Sequence, residues 1–304
     1  LHKAIRRQRQ MCIRDRAQKC SDLVEIYIMS SRLELKLSAC MLYVYSNLTL
    51  GNAKASGRGL EIIRECLRKE MEAPTSERNT AYCVFAGYMG TVLLHLSTEE
   101  LPDMKKYMSS LPQGLRIFAA NVISHDLYLK GEYSRALGIC DAALFSCKEI
   151  YPVGMIYLYC VTAMCEISLK NQAEAEKAIL TAWKLAEKDE LIEPFIELHG
   201  LLQGLLESCI RKENPEMYRK ISDAVITFSR GWMAVHNPAS DNPVTDALTT
   251  MEFSIAMLAC RDWSNREIAE HMGVSLNTVK HYLTDIFNKL HVKKRDELKN
   301  FVLK

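Results

Sequence analysis

Residues 248–295 read LTTMEFSIAMLACRDWSNREIAEHMGVSLNTVKHYLTDIFNKLHVKKR, and this stretch contains the starts of three helices. The segments L-T-T-M-E at 248–252 and S-N-R-E at 264–267 each place a hydroxyl residue three positions before a glutamate, which is the capping box of a helix N-terminus. Gly273 suits a tight turn, and Ser275 is a favourable cap for the helix that follows it. The stretch therefore predicts three short helices in succession.

The apolar residues of each predicted helix fall on one face, as in helices that share a core. They are Ile255, Ala256, Leu258 and Ala259 in the first helix, which we expect to end near Asp262; Ile268, Ala269 and Met272 in the second; and Val279, Leu283, Ile286, Phe287 and Leu290 in the third, which covers about 276–290. Two helices joined by a short turn with a glycine form a helix-turn-helix. Its second helix has a size that fits the major groove of DNA.

The order and spacing of these residues resemble the LuxR-type (GerE-like) helix-turn-helix module. The strings that carry the resemblance are L-T-x-x-E, S-N-x-E-I-A, S-x-N-T-V-K and I-x-x-K-L-x-V-x-x-R. Asp262 stands where the family commonly has glycine, Trp263 where it has leucine and Tyr282 where it has histidine. Aspartate tolerates a left-handed backbone, so the first difference preserves the turn. We expect Trp263 to pack in the core and Tyr282 to alter only local contacts.

The resemblance implies that the exposed face of the third helix reads DNA. A lysine there can donate to guanine O6 and N7, and a threonine can contact a base edge or the thymine methyl. Polar side chains at a helix N-terminus can donate to phosphate. The candidates are Lys280, His281 and Thr284 on the reading face, Asn277 and Thr278 at its N-terminal end, and Ser264, Asn265, Lys289 and Lys293 toward the phosphate backbone. The alternative for any one lysine is a solvated surface charge.

Residues 295–303 suit a fourth, short helix whose apolar edge is formed by Leu298, Phe301 and Val302. In the family that the stretch resembles, this helix often serves dimerisation on paired half-sites. A homodimer on double-stranded DNA is therefore one expected assembly. The alternative is that the same residues complete the core of the module.

Residues 21–235 have a helical pattern almost throughout, because apolar residues recur at three- and four-residue spacing between short breaks. Similar turns recur at 50–52, 96–98, 129–131 and 169–171, and alanine-rich helices follow the last two. The alanines concerned are Ala136, Ala142 and Ala143 in one helix and Ala173, Ala175, Ala178 and Ala182 in the other. Alanines let paired helices approach closely, so the pattern predicts stacked helical hairpins.

This middle region resembles a divergent tetratricopeptide array, and in particular the sensor domain of MalT-like regulators. We therefore expect an all-α chain: a tetratricopeptide-like helical-hairpin array followed by a four-helix LuxR-type helix-turn-helix domain. A stacked array leaves a concave groove for a small-molecule or protein ligand. The aromatic residues that can line it are Tyr82, Tyr88, Tyr157, Tyr159, Trp183 and Trp232. For any one of them, a place in the core is the favoured alternative.

The helical pattern breaks at residues 236–247, where two prolines and several small polar residues indicate a linker. The predicted domains are a helical-repeat domain at 21–235 and a DNA-binding domain at 248–304. The linker is expected to tether them loosely, as suits a regulator with separate sensing and binding parts.

Residues 1–20 are treated apart from both domains. The string M-C-I-R-D-R at 11–16 looks like the translation of a transposase end sequence used in building sequencing libraries. We expect residues 1–20 to be non-native, and the natural gene to extend further upstream; a basic arm that binds nucleic acid is the alternative. Full-length MalT-like regulators carry an upstream nucleotide-hydrolysing domain, and the sequence shows no sign of one.

Charge is distributed unevenly along the chain. Residues 21–243 carry a formal charge of −5, whereas residues 274–304 carry +4. The middle region is therefore a poor candidate for binding nucleic acid, and the C-terminal segment is the part that attracts a phosphate backbone. A second hypothesis remains open: an interaction scaffold whose terminal helix-turn-helix serves assembly rather than DNA.

The sequence contains no GxxxxGK[ST], HExxH, GxSxG, GxGxxG or CxxC motif. We expect no enzymatic activity, no metal and no cofactor. No apolar run approaches the ~18 residues of a membrane span. Cysteines such as Cys40, Cys140, Cys160, Cys165 and Cys209 lie in apolar helical patterns typical of buried, reduced thiols. These features favour a cytoplasmic bacterial transcription regulator with no membrane partner.

Overall fold

The computed structural model of the protein describes residues 15–95, 101–147, 150–236 and 248–298. These ranges contain no strand and are mostly helical, so the all-α prediction is confirmed. The α-helices are α1 (15–25), α2 (Leu33–Leu50), α3 (Ala53–Glu72), α4 (Glu77–Tyr88), α5 (Gln113–Leu129), α6 (Tyr133–Ser146), α7 (Pro152–Ser168), α8 (Gln172–Ala186), α9 (Glu193–Glu197), α10 (Arg211–Glu213), α11 (Pro215–His236), α12 (Thr250–Cys260), α13 (Asn265–Met272) and α14 (Leu276–Leu290). The π-helical segments are Met89–Leu93 and Leu206–Ile210, and the 3-10 segments are Met104–Ser110, Glu187–Asp189 and Arg295–Leu298.

Helical hairpins build the array, and the pairs are α2 with α3, α5 with α6 and α7 with α8. Each pair turns at a residue with a left-handed backbone: Gly51 (φ 70°), Gly131 (φ 75°) or Lys170 (φ 64°). The three corresponding turns predicted from the sequence are confirmed. The fourth predicted turn, at 96–98, lies outside the described residues.

Buried alanines lie on the packed sides of α6 and α8. Ala136, Ala175 and Ala182 have no exposed surface. Ala142 and Ala173 are exposed, so the prediction of one alanine face is wrong for these two. At 3.6 residues per turn, Ala142 lies about 120° from Ala136 around α6 and Ala173 about 160° from Ala175 around α8, so both lie away from the packed side.

The helix α11 closes the array by packing along α2. A Cβ atom on Gly231 would lie 2.0 Å from the carbonyl oxygen of Leu48 and 2.7 Å from that of Thr49, so only glycine permits this approach. The short helix α9 contacts both α7 and α11. Contacts between helices therefore run from α2 through α11 and α9 to α7.

The C-terminal helices pack against the array. The helix α12 contacts α11, and α13 contacts the π-helical segment at 206–210. One continuous set of buried apolar residues runs through both parts. This packing differs from the loose tether that the sequence suggested, because apolar and polar side chains of α12 and α13 have partners on the array. Of the predicted linker 236–247, only His236 lies within the described residues.

The N-terminal helix α1 is joined to the first hairpin by a buried hydrogen bond. The Asn47 amide donates to the Ser21 hydroxyl at 2.9 Å. Residues 15–20 of the segment expected to be non-native form part of this helix, and residues 1–14 lie outside the described ranges.

Several cysteines lie in the core, as the sequence predicted. Cys40, Cys140, Cys160, Cys165 and Cys209 are buried and form no disulfide. Among the described helices, none is both long enough and apolar enough to cross a membrane.

Candidate DNA interface

Side-chain caps start the three helices of the C-terminal module. Glu252 accepts a hydrogen bond from the Thr249 backbone N–H at 2.7 Å, and the Thr249 hydroxyl accepts from the Glu252 N–H. Ser264 and Glu267 exchange the same two bonds, at 2.7 and 3.2 Å. Both predicted capping boxes are confirmed. The hydroxyl of Ser275 accepts from the backbone N–H three residues on, and α14 has the predicted bounds.

Each of the two turns of the module contains a residue with a left-handed backbone conformation. Gly273 ends α13 with φ 62°. Asp262 has φ 61°, so aspartate does adopt the conformation expected where glycine is common. The helix α12 ends at Cys260, close to the predicted end, and Trp263 is buried as expected.

The core of the module is the one that the apolar pattern predicted. Of the twelve residues expected to face inward from α12, α13 and α14, only Phe287 is half-buried. The others are fully buried. A well-packed core of this kind fixes the direction of the opposite, polar face of α14.

The predicted reading face lies outward on α14. Lys280, His281 and Thr284 are exposed and share this face with the exposed Asn277. The Thr284 hydroxyl donates to the Lys280 carbonyl at 2.9 Å, which leaves its methyl group and both oxygen lone pairs free to contact a base. The structure thus brings four of the predicted DNA contacts onto one exposed surface.

The N-terminal end of α14 has hydroxyl groups in mutual contact. Thr278 is half-buried, and its hydroxyl lies 2.7 Å from the hydroxyl of Ser275. One hydroxyl donates to the other, so a single hydroxyl hydrogen of the pair remains available to an external acceptor. This arrangement suits one phosphate oxygen at the positive end of the helix.

The start of α13 is partly occupied by internal contacts. Ser264 is exposed but caps its helix, and the Asn265 side chain accepts from Arg295 at 2.9 Å. Arg295 also donates to the backbone carbonyls of Ala259 and Trp263. The Asn265 amide NH₂ group remains the donor that can reach a phosphate. Arg295 was noted only as a motif residue in the sequence, and here it ties the chain after α14 to the turn before α13.

The two predicted backbone lysines differ in their surroundings. Both are exposed, but the Lys289 ammonium contacts both carboxylate oxygens of Glu252, at 2.6 and 2.7 Å. Burial tends to raise the pKa of Glu252, but hydrogen bonds from Lys289 and Thr249 outweigh it and lower that pKa. Lys289 therefore neutralises a buried carboxylate, and only its remaining donor can serve a phosphate.

The candidate dimerisation residues are described only in part. Leu298 is completely buried within the module, where its 3-10 segment packs against α12. Its side chain thus completes the core, the second of the two interpretations, and offers no surface to a second copy. Phe301 and Val302 lie outside the described residues.

The turn between α12 and α13, together with α13, docks on the array through polar contacts. The Arg261 guanidinium donates to the Ser168 hydroxyl at 3.0 Å and lies over the Tyr128 ring. Lys170 pairs with Glu267 at 3.0 Å and lies over the Trp263 ring. These residues are far apart in sequence and meet only through the fold. We name this surface the docking face: Arg261, Trp263, Glu267, His271 and Met272 on the module, with Tyr128, Ser168, Lys170, Gln203 and Gly204 on the array.

A buried histidine lies at the centre of the docking face. His271 Nε2 is 2.8 Å from the Gln203 carbonyl oxygen, which can only accept, so this nitrogen carries a hydrogen. Burial lowers the pKa of His271. At Gly204, with φ 86°, a Cβ atom would lie 2.4 Å from the Met272 sulfur. The backbone of the array therefore comes into direct contact with the end of α13.

The docking face could not be predicted from the sequence. His271 belongs to none of the motifs, and Gln203 and Gly204 lie in a segment without a distinctive motif. A possible signal was a histidine beside Met272 on the apolar side of a short helix. Its partner, however, is a backbone carbonyl 68 positions earlier in the chain, which no residue pattern indicates.

The fold and the exposed polar face of α14 define a helix-turn-helix domain of the DNA-binding class. The family described as "Bacterial regulatory proteins, luxR family" matches residues 246–302. The C-terminal domain is thus a LuxR-type (GerE) helix-turn-helix domain, as its motifs predicted.

One curated relative supports the same assignment. Over 88 residues the chain is 28% identical to the protein described as "Probable transcriptional regulatory protein SgaR" from Hyphomicrobium methylovorum. The matched part covers 28% of this chain and 40% of that protein, so the chain spans less than half of the relative's length. No solved structure matches the chain.

Proposed function

We propose that the protein is a bacterial transcription regulator that binds double-stranded DNA sequence-specifically through α14. The observation that carries this proposal is the exposure of Lys280, His281, Thr284 and Asn277 on one face of a LuxR-type module whose opposite side is packed. A helix in the major groove reads bases through such a face.

The groups beside the reading face that can contact phosphate favour the same orientation of α14 on DNA. Lys293 and the N-terminal end of α14 flank the reading face, and both can contact phosphate. The Lys289 ammonium offers one further N–H donor, in addition to the two that contact Glu252. These contacts position the helix, whereas Lys280 and Thr284 are proposed to distinguish bases.

We further propose that the array, at 21–235, senses a small molecule or a partner protein and acts on the module at 248–304 through the docking face. The support is the set of side-chain contacts between Arg261, Glu267 or His271 and the array. A helical array followed by a LuxR-type module is also the arrangement of MalT-like regulators, which the middle region resembles. A homodimer on paired half-sites remains a proposal.

The test is selection of bound sites from random duplex DNA with the whole chain, followed by affinity measurements on the selected site. Lys280→Ala is expected to weaken specific binding by about 1–3 kcal/mol and to relax the preference at one base position. Lys188→Ala is the matched control, because Lys188 is an exposed lysine of the array. The control should leave both the affinity and the preference unchanged.

The scaffold hypothesis makes the opposite prediction. If no sequence is enriched by the folded protein, or if Lys280→Ala and Lys188→Ala bind alike, α14 does not read DNA. Salt dependence separates the hypotheses further, because each phosphate contact releases counterions and steepens the decline of affinity with salt.

A further inference from the structure

A carboxylate and a phenol meet within the array. The Tyr157 hydroxyl on α7 donates to Glu197 Oε2 on α9 at 2.6 Å. The charge of Glu197 also raises the pKa of Tyr45 on α2. These residues come from three helices that are far apart in sequence. Glu197, Tyr157 and Tyr45 each keep some accessible surface, so the pair is not sealed in the core.

The Glu197 carboxylate lacks a positive partner. No lysine, arginine or histidine among the described residues forms an ion pair with it, and its Oε1 atom accepts no hydrogen bond from them. Glu193, an exposed carboxylate on the same helix, raises the pKa of Glu197 further. A partly buried carboxylate beside a second negative charge is unfavourable unless a cation or a proton compensates.

A second aromatic ring packs beside Tyr157, the phenol that binds the carboxylate. The Phe118 ring on α5 lies 6.2 Å from the Tyr157 ring, at 59° to it, and both are half-buried. Faces of aromatic rings beside a carboxylate attract a cation with an apolar body, since the ring quadrupole and the negative charge act together. A divalent metal would instead require several oxygen ligands, and the described residues hold no such group.

We infer that Glu197, Tyr157 and Phe118 form the binding site of a small organic cation, a protonated amine with an apolar body. This inference rests on the proposed sensing function of the array and specifies its ligand class. The ammonium group pairs with Glu197 Oε1, and the apolar body lies against Tyr157 and Phe118. The second carboxylate, Glu193, adds attraction from the rim.

The site has a protonation signature that a merely structural pair would lack. Burial raises the pKa of Glu197 to about 7, against the hydrogen bond from Tyr157 and with a further increase from Glu193. Burial also keeps the pKa values of Tyr45 and Tyr157 well above the usual value, so both phenols stay neutral. A bound ammonium ion favours the ionised carboxylate, so binding at neutral pH should release a proton from Glu197.

The experiment is isothermal titration of the whole chain with phenethylammonium chloride, in buffers of different ionisation enthalpy. Phenethyl alcohol is the neutral probe of similar shape. We expect the amine to bind at least tenfold more tightly than the alcohol and to release a fraction of a proton at pH 7 that vanishes by pH 9. Glu197→Gln should weaken amine binding at least tenfold and abolish proton release, whereas Glu216→Gln, at an exposed carboxylate of α11, should change neither.

Equal binding of amine and alcohol, or amine binding without proton release at pH 7, would overturn the assignment. The absence of any binding of phenethylammonium, n-butylammonium or choline at millimolar concentration would overturn it as well. These measurements on the wild-type chain remain decisive if Glu197→Gln does not fold. DNA-site selection with the same preparation distinguishes the two proposals: intact selection without amine binding rejects only the amine site, and amine binding without selection rejects only the DNA-reading function.

Discussion

The contact between Gly204 and Met272 provides a direct test of how the module sits on the array. Replacing Gly204 with alanine introduces two costs. The first is backbone strain, since φ is 86° and a left-handed conformation costs a non-glycine residue about 1–2 kcal/mol. The second is steric, because the new Cβ would lie 2.4 Å from the Met272 sulfur and 3.4 Å from His271 Nε2. Overpacking of a filled core typically costs about 1–3 kcal/mol.

Gly131→Ala is the matched control for the strain. Gly131 has φ 75°, and a Cβ atom there would meet nothing within 4 Å. Its expected cost is the strain alone, about 1–2 kcal/mol. The difference in unfolding free energy between the two variants therefore isolates the steric contact between the array and α13. We expect Gly204→Ala to be the more destabilising by about 1–3 kcal/mol.

Two measurements check this expectation. Urea denaturation gives the difference in unfolding free energy, and tryptophan emission reports on docking, because Trp263 is buried beneath Lys170 at the docking face. Gly204→Ala should shift the native emission to longer wavelength, and Gly131→Ala should not. Equal unfolding free energies and unchanged emission in both variants would refute the docked arrangement.

Two further predictions concern charge. Lys289→Met should destabilise the module by about 1–3 kcal/mol, since it leaves the Glu252 carboxylate buried without its cation; Lys293→Met, at an exposed lysine, is the control, and equal stability of the two variants in urea would contradict this role. Burial lowers the pKa of His125 to about 4 in the folded chain, from the ordinary value near 6.5. As the pH falls below about 6.5, the unfolded chain therefore binds a proton that the folded chain does not, and the free energy of unfolding declines from there toward pH 4. His125→Gln should remove up to about 3 kcal/mol of that decline, and an unchanged dependence of urea denaturation on pH would show that His125 is not responsible.

The features that the sequence predicted correctly are those determined by neighbouring residues. The capping box at Thr249 and Glu252 needs only a spacing of three, and the turns at Gly51 and Gly131 need only a residue that accepts positive φ. The inward face of α14 follows from helical periodicity. Each of these signals lies within a few residues of the structure that it specifies.

The features that were missed depend on distant parts of the chain. Gly231 is required by the carbonyl of Leu48, almost two hundred positions earlier, and no local pattern marks that approach. Glu197 was not singled out, because a glutamate on a helix is ordinarily a solvated charge. Tyr157 was named among possible groove aromatics, but its partner was not. Long-range contacts of this kind follow from the order in which helices pack, which apolar periodicity does not encode.

The interior pair and the docking face are joined by two short paths. Tyr157 lies on α7, and the same helix ends at Ser168, which accepts hydrogen bonds from Arg261 and from Gln203. At 1.5 Å per residue, the eleven-residue separation along α7 corresponds to about 17 Å. A rigid helix of this length transmits a rotation or shift at one end to the other.

The second path begins at Glu197, which precedes Gln203 and Gly204 by only six and seven positions in the chain. If the array senses a ligand as proposed, a displacement of Glu197 would reach, within a few residues, the backbone that contacts His271 and Met272. The reading face remains exposed in the docked arrangement, so control by simple masking of Lys280 is not what this geometry favours. A shift of the docking face would instead change where the module is held, and this matters most if two copies must match the spacing of paired half-sites.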